Sequence, residues 1–400
     1  MAINFQQVYQ QVKQLVSYQR SQQAEIQKRQ ILAKHWMAEF EPRGDDFAKK
    51  LEKARLADAG VRCAAPGGEP VTASFAAKDA PIHATLIAVD GSQILPDRHQ
   101  AAHFGLINTG AIIFRLGSGS PPDIFTESTL LSPDKLATPS GSPISDAMLG
   151  LMRDTEERVL LLTLANSESG ADGGVFAFSD GPIELWGKRE GEEGQLFEAN
   201  LRRYLSVLSQ LRDLKAVVSG YIDRPGSNLV VRMLEVAMAD EQQIAEIKNH
   251  HPLDGISDHW IMGEMIKPSQ RSAVFTLKSK AELDYTGDLA IHFFYLNVGE
   301  YENAPQIARV EIPAWVAKDS QAVEFLHSVL VNQCRMLGAK PFPYVLHRAH
   351  ETAVVNFEEK KHIEEIFQME MINQDHGQTI AVRSNKQTAK DGSRRARYGA

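Results

Sequence analysis

Two aspartates stand where an apolar run stops: Asp90 in Ala88-Val89-Asp90-Gly91-Ser92, and Asp180 in Phe178-Ser179-Asp180-Gly181-Pro182. Between them a stretch of helical period carries Glu156, and much further on His350 lies in Ala349-His350-Glu351. Carboxylates drawn together repel one another unless a cation lies among them, and hard oxygen ligands favour Mg²⁺ or Mn²⁺. Such ions activate water and stabilise the leaving oxygen of a phosphodiester. A histidine nearby can ligate the metal, position water or carry a proton. The residue types therefore point to metal-assisted phosphodiester hydrolysis. An Asp-Gly after a strand is by itself commonly a turn; two of them in the element order below give the reading its weight.

Glu156 borders the apolar stripe beside Met152 and Val159, whereas Glu157 lies nearer Arg153 and Asp154, so Glu156 is the expected helical ligand and Glu157 the one-residue alternative. The cluster His250, His251, Asp254, Asp258 and His259 lacks the regular helical spacing of a zinc site and reads as a polar loop. The run from Gly181 to Lys188 resembles a phosphate-binding loop only superficially. Five residues separate Gly181 from Gly187 where four are required, and Arg189 stands where Ser or Thr should be. Any ATP-driven motor must act in trans.

These residues need elements to position them. Thr85 to Val89 reads as a strand ending at Asp90, and strand candidates 103–107 and 111–116 follow, joined by a hairpin turn at Asn108-Thr109-Gly110. A helix begins at Ser142-Pro143 and carries Ile144, Met148, Leu151, Met152, Thr155, Val159 and Leu162. A strand at 174–178 leads to Asp180, then a helix near 196–211 and a strand at 216–219. Strand-Asp, hairpin, helix, strand-Asp, helix, strand is the core order of a ribonuclease-H-like α/β fold: a mixed sheet flanked by helices, with both aspartates at one sheet edge. Further strands are expected at 290–296 and 308–312, and a helix over 320–337.

Phe5, Val8, Val12 and Leu15 predict a helix from Ile3 to about Phe40, stopped by Pro42-Arg43-Gly44, and a second helix ends near Ala59. Together, residues 1–60 form a helical arm, packed on its own body or contacting a subunit or partner. Residues 61–83, rich in Gly and Pro, read as a linker, 84–383 as the catalytic domain, and 384–400 as a basic, disordered tail. Arg394 and Arg395 in that tail, with Arg224, are the candidate contacts to a nucleic-acid backbone.

Composition narrows the class. Across 400 residues the net charge is −8, which excludes a wholly basic nucleic-acid coat but not a local basic groove. Cys63 and Cys334 cannot build a disulfide framework or a CxxC zinc site. No apolar run approaches a membrane span, and polar residues interrupt the N-terminus where a signal peptide would have its apolar core, so a soluble cytoplasmic protein is expected.

Beyond the two aspartate segments and Ala349-His350-Glu351, the chain contains Phe293-Phe294-Tyr295-Leu296, Ala308-Arg309-Val310-Glu311-Ile312-Pro313 and a block from Asp258 to Arg271-Ser272. In this order, over residues 84 to 383, these segments resemble the NurA nuclease family. The resemblance implies a ribonuclease-H-like, PIWI-related fold, a homodimer, and a Mn²⁺-dependent nuclease, with Mg²⁺ as the alternative ion. It implies 5′→3′ exonuclease and single-strand endonuclease action in DNA end resection, with a HerA-type hexameric ATPase as partner. Asp90 and Asp180 match the family's metal-binding aspartates, Glu156 the helical glutamate, and His350 the C-terminal histidine. A tyrosine often found eight positions before that histidine is Phe342 here, with Tyr344 nearby. The rival reading is a catalytically degenerate adaptor that serves the ATPase as a scaffold.

Overall fold

The computed structural model describes residues 3–40, 44–96 and 104–374. In chain order the elements are α1 (Phe5–Glu39), α2 (Gly44–Ala57), β1 (Cys63–Pro66), β2 (Ser74–Ala76), β3 (Ala84–Ile94), β4 (Gly105–Leu116), β5 (Asp123–Leu131), α3 (Asp146–Ser167) and β6 (Val175–Asp180). Then come α4 (Gly194–Asp213), β7 (Val217–Ile222), α5 (Leu229–Met238), α6 (Glu241–Ala245), α7 (Asp258–Met265), β8 (Gln270–Ser272) and β9 (Phe275–Lys278). The series ends with β10 (Ile291–Asn297), β11 (Ile307–Pro313), α8 (Ala314–Ala317), α9 (Ser320–Arg335), α10 (Tyr344–Ala353) and α11 (Phe357–Gln374). Two compact units share them: one drawn from Met1–Ala80, Gly181–Glu184 and Ser219–Pro343, the other from Pro81–Asp180, Leu185–Val218 and Tyr344–Ala400.

The second unit carries the predicted chemistry. Its strands run in the order β5-β4-β3-β6, with β3 antiparallel to β4 and parallel to β6. From Ala84 to Val89, β3 is buried on both faces, as a strand covered by helices on each side must be. Helix α3 packs on one face of β3 and β4, and α10 on the other. Beyond α10, α11 brings Phe367 to stack on Phe104 with ring centroids 4.7 Å apart.

The expected hairpin at Asn108-Thr109-Gly110 does not form. These residues lie inside β4, paired with Ser92, Gly91 and Asp90 of β3. Asn108 is tolerated there because its polar atoms are satisfied: Nδ2 donates to the Ala353 carbonyl at 2.8 Å and Oδ1 accepts from Ser128 Oγ at 2.6 Å. The helix expected from Ser142 begins at Asp146 instead, because Ser145 is the cap whose Oγ accepts from Met148 N at 3.2 Å.

In the first unit β1, β9, β10 and β11 form an antiparallel series, with β11 pairing Gly220 to Ile222 of β7. The stretch read as a linker holds β1 and β2, which pair with β9 and β8. Nor is Asp258 a loop residue in solvent. Its buried carboxylate accepts from Val230 N at 3.1 Å, Val231 N at 2.9 Å and Tyr295 Oη at 2.5 Å, closing the N-terminus of α5. Burial pushes the Asp258 carboxyl up, against the pull of these hydrogen bonds.

Helix α1 divides in two. Its C-terminal half packs on its own unit: Ala33 and Met37 are buried, and Arg29 Nη1 donates to the Asp254 carbonyl at 2.6 Å. Its N-terminal half leaves Phe5 63% and Leu15 55% exposed, with Val8 and Val12 between them on the same seam. Among the described residues no helix is long and apolar enough to cross a membrane.

Candidate active site

The parallel register of β3 and β6 pairs Val89 with Ser179. One step further, where the parallel pairing stops, Asp90 and Asp180 are neighbours, Asp180 ending β6 while β3 runs on to Ile94, and strand alternation directs both side chains to the same face. That is the face α10 covers. His350 on α10 donates from Nδ1 to Asp90 Oδ2 at 2.6 Å.

Helix α10 comes this close because the residue opposite Asp90 is Gly110. A Cβ at Gly110 would lie 2.4 Å from Ala353 N, a contact no backbone tolerates. Ser92 Oγ and Asn108 Nδ2 both donate to the Ala353 carbonyl, fixing the end of the helix that carries His350.

The other face of β3 meets α3 at Gly91. A Cβ there would lie 2.6 Å from Glu157 Oε1 and 2.7 Å from Arg153 Cγ, so glycine admits both side chains to the strand end. Glu157 is 5% exposed and pairs with Arg153 Nε at 3.2 Å. Burial pushes its carboxyl up to about 8, helped by the charges of Asp154 and Asp90 and opposed by Arg158 and Arg153. In the cation-free chain this group keeps its proton at neutral pH.

Glu156, the expected ligand, points elsewhere. It makes a bidentate pair with Arg203 of α4, one bond being 2.9 Å, and its side chain is 34% exposed. The signal for Glu157 was present in the sequence: it lies four residues before Leu161 and seven before Leu164, both buried on the inward stripe of α3.

The register sets Asp90 beside Asp180 and His350 bonds Asp90, while Glu157 rather than Glu156 faces β3 from α3, on the side opposite α10. Among the described residues, no group of three or more His, Cys, Asp or Glu side chains meets the spacing of a metal cage. The donor chemistry nonetheless suits a hard divalent ion: two carboxylates neighbouring in register and an imidazole on one of them, with the Glu157 carboxyl beside Gly91 on the other face of β3. Tyr344 packs edge-on against Phe114, and Phe342 packs on Tyr221 in the first unit. Arg224 is exposed, 4.0 Å from Asp223, while Arg394 and Arg395 lie outside the described residues.

A mixed sheet in this order, with Asp90 and Asp180 side by side on its parallel pair and helices on both faces, places the second unit in the ribonuclease-H-like class. A family model described as the NurA domain matches residues 84–355, and the chain belongs to the NurA family. Among solved structures it is similar to the NurA nuclease from Sulfolobus solfataricus, at 13% identity and TM-score 0.45, covering 84% of this chain and 95% of that one. It is also similar to the catalytic domain of human Endonuclease V, at 13% identity and TM-score 0.33, over 82% and 99% of the two chains. An Argonaute from Aquifex aeolicus follows at 13% identity and TM-score 0.29, over 69% of this chain and 28% of that one. No curated protein matches the chain in sequence.

Proposed function

We propose that the chain is a divalent-cation-dependent DNA nuclease, with Asp90, Asp180, His350 and Glu157 as its centre. The observation that carries this reading is the aspartate pair set by the β3–β6 register, with His350 bonded to one member at 2.6 Å. Asp90 and Asp180, with His350, would hold Mn²⁺, or Mg²⁺ in its place, which would supply Lewis-acid polarisation of the phosphodiester and activation of water. Asp90 and Asp180 present carboxylate oxygens on one face. His350, with Nδ1 committed to Asp90, leaves Nε2 for proton transfer to the departing oxygen. Arg153 holds Glu157 against the strand end and offsets its charge. Arg224 is assigned to phosphate contact in this reading.

Exonuclease action in the 5′→3′ direction, endonuclease action on single strands, and work alongside a HerA-type ATPase in end resection complete the proposal. Membership of the NurA family supports the partnership.

Glu157→Gln should lower cleavage by about a hundred-fold or more, the usual loss on removing one acid–base or ligand group, while Glu156→Gln stays within about threefold. Labelled-DNA gel assays measure both, and the reverse ranking would return the role to Glu156. The same variant has a pH signature. Glu157 binds its proton more tightly in the fold, at about 8, than at the ordinary value of 4.5. Its contribution to stability is therefore full below 4.5 and is lost as pH rises through about 8. Denaturant melts of the cation-free Gln variant should fall less over that range.

A homodimer is also proposed, with the N-terminal half of α1 in the contact. Deleting residues 1–18 should reduce the mass in solution by about half, because such exposed apolar seams mark interaction surfaces. Light scattering reads the result, and an unchanged mass would exclude this half-helix from self-association.

A further inference from the structure

The run from Gly181 to Arg189, which fails as a phosphate loop, has a different use. The described residues include all four tryptophans; Trp36, Trp260 and Trp315 are half-buried, while Trp186 is 58% exposed. It lies six positions after Asp180, so their Cα atoms are at most roughly 22 Å apart, in the same unit. Two positions on, Lys188 is exposed and makes no ion pair among the described residues.

The backbone that displays these side chains is pinned. Leu185 is buried, and a Cβ at Gly187 would lie 2.4 Å from the Phe197 ring and 2.8 Å from Leu151 Cδ1. Gly187 therefore lies directly on the packed surface of α3 and α4. Arg189 lies over the Phe197 ring at 5.0 Å and reaches Glu198 at 3.4 Å. An indole flanked by two such anchors has little backbone freedom to lose when something stacks on it.

We propose that Trp186, with Lys188 beside it, is a stacking subsite for a base of the single-stranded DNA substrate. This rests on the nuclease reading and adds to it residues that hold the strand in the same unit as Asp90 and Asp180. Every base offers a π-face to an aromatic ring, and a cation alongside meets the backbone phosphate. One aromatic next to a lysine, rather than a contiguous apolar patch, suits a nucleotide better than a protein surface.

The test is binding of a fluorescently labelled oligothymidylate to the full chain in chelator, where no hydrolysis occurs. Trp186→Ala should weaken single-strand affinity about ten-fold, within the range of one base–aromatic stack. Trp186→Phe should keep most of the affinity, and thermal unfolding of both variants should match wild type. Duplex of the same length should bind all three chains alike, because its bases are already stacked. In the wild type, oligothymidylate should quench indole fluorescence, and Trp186→Phe should lose that quenching. If wild type binds and Trp186→Ala binds equally well, or duplex affinity falls in parallel, the stacking role is overturned while the nuclease reading stands. If wild type binds no single strand, both fall.

Discussion

Asp90→Asn should abolish DNA cleavage, with a fall of roughly a thousand-fold or more. Asparagine keeps the shape of the side chain and still accepts the His350 Nδ1–H, now 2.6 Å from Asp90 Oδ2, so the fold and the placement of α10 survive. What is lost is the negative charge that makes the strand end a cation site. Metal-assisted hydrolysis draws several kcal/mol of transition-state stabilisation from such a site, and at about 1.36 kcal/mol per decade that is roughly three decades of rate. Gel assays of labelled linear and single-stranded DNA read the rate, and circular dichroism melts read the fold. Wild-type rates in this variant would remove Asp90 from the chemistry.

The second large effect is on stability. Arg309 and Glu311, two residues apart on β11, form a buried pair in the first unit, with Nη2 to Oε1 at 2.9 Å. Arg309 also donates to Ser227 Oγ at 2.9 Å, and Glu311, fully buried, accepts from Ile183 N at 2.8 Å. Ile183 in turn accepts from Tyr285 Oη at 3.3 Å. The pair therefore fastens the 181–184 segment, whose first residue follows Asp180 in the chain. Arg309→Met should destabilise the protein by about 3–5 kcal/mol, because it strands an uncompensated carboxylate in the interior. Changing both, in Arg309→Met with Glu311→Leu, should cost less than the two single losses added together. Denaturant titration measures all three. A loss under about 1 kcal/mol for Arg309→Met would mean that water reaches Glu311.

Much of this arrangement was legible in the chain. Asp90 and Asp180 could be placed because each ends a short apolar run, and runs of that kind become covered strands whichever way they pair. His350 was legible as chemistry but not as geometry, since its approach to Asp90 depends on Gly110, a residue that reads as a turn signal beside Asn108 and Thr109. Asn-Thr-Gly forms no turn here because the end of α10, more than two hundred residues away, supplies the partner that a buried Asn108 needs. The short strands β1 and β2 were hidden for a similar reason. Their pairing with β9 and β8 comes from the rest of the unit, and their Gly- and Pro-rich surroundings read as linker. Glu156 and Glu157 differ by one helical step, and the choice between them turned on the Arg203 side chain, which draws Glu156 toward α4. The block from Asp258 reads as polar by composition, yet its aspartate is fully buried, a placement only the cap on α5 explains.

The central claim is that the strand-end aspartates, with His350, form a cation-dependent hydrolytic centre. Its most direct test is incubation of the purified full chain with labelled single-stranded DNA in Mn²⁺, in Mg²⁺ and in chelator, with Asp90→Asn alongside. The account predicts cleavage with Mn²⁺, none in chelator and none in the variant. Cleavage that persists in chelator, or that Asp90→Asn leaves intact, would contradict it.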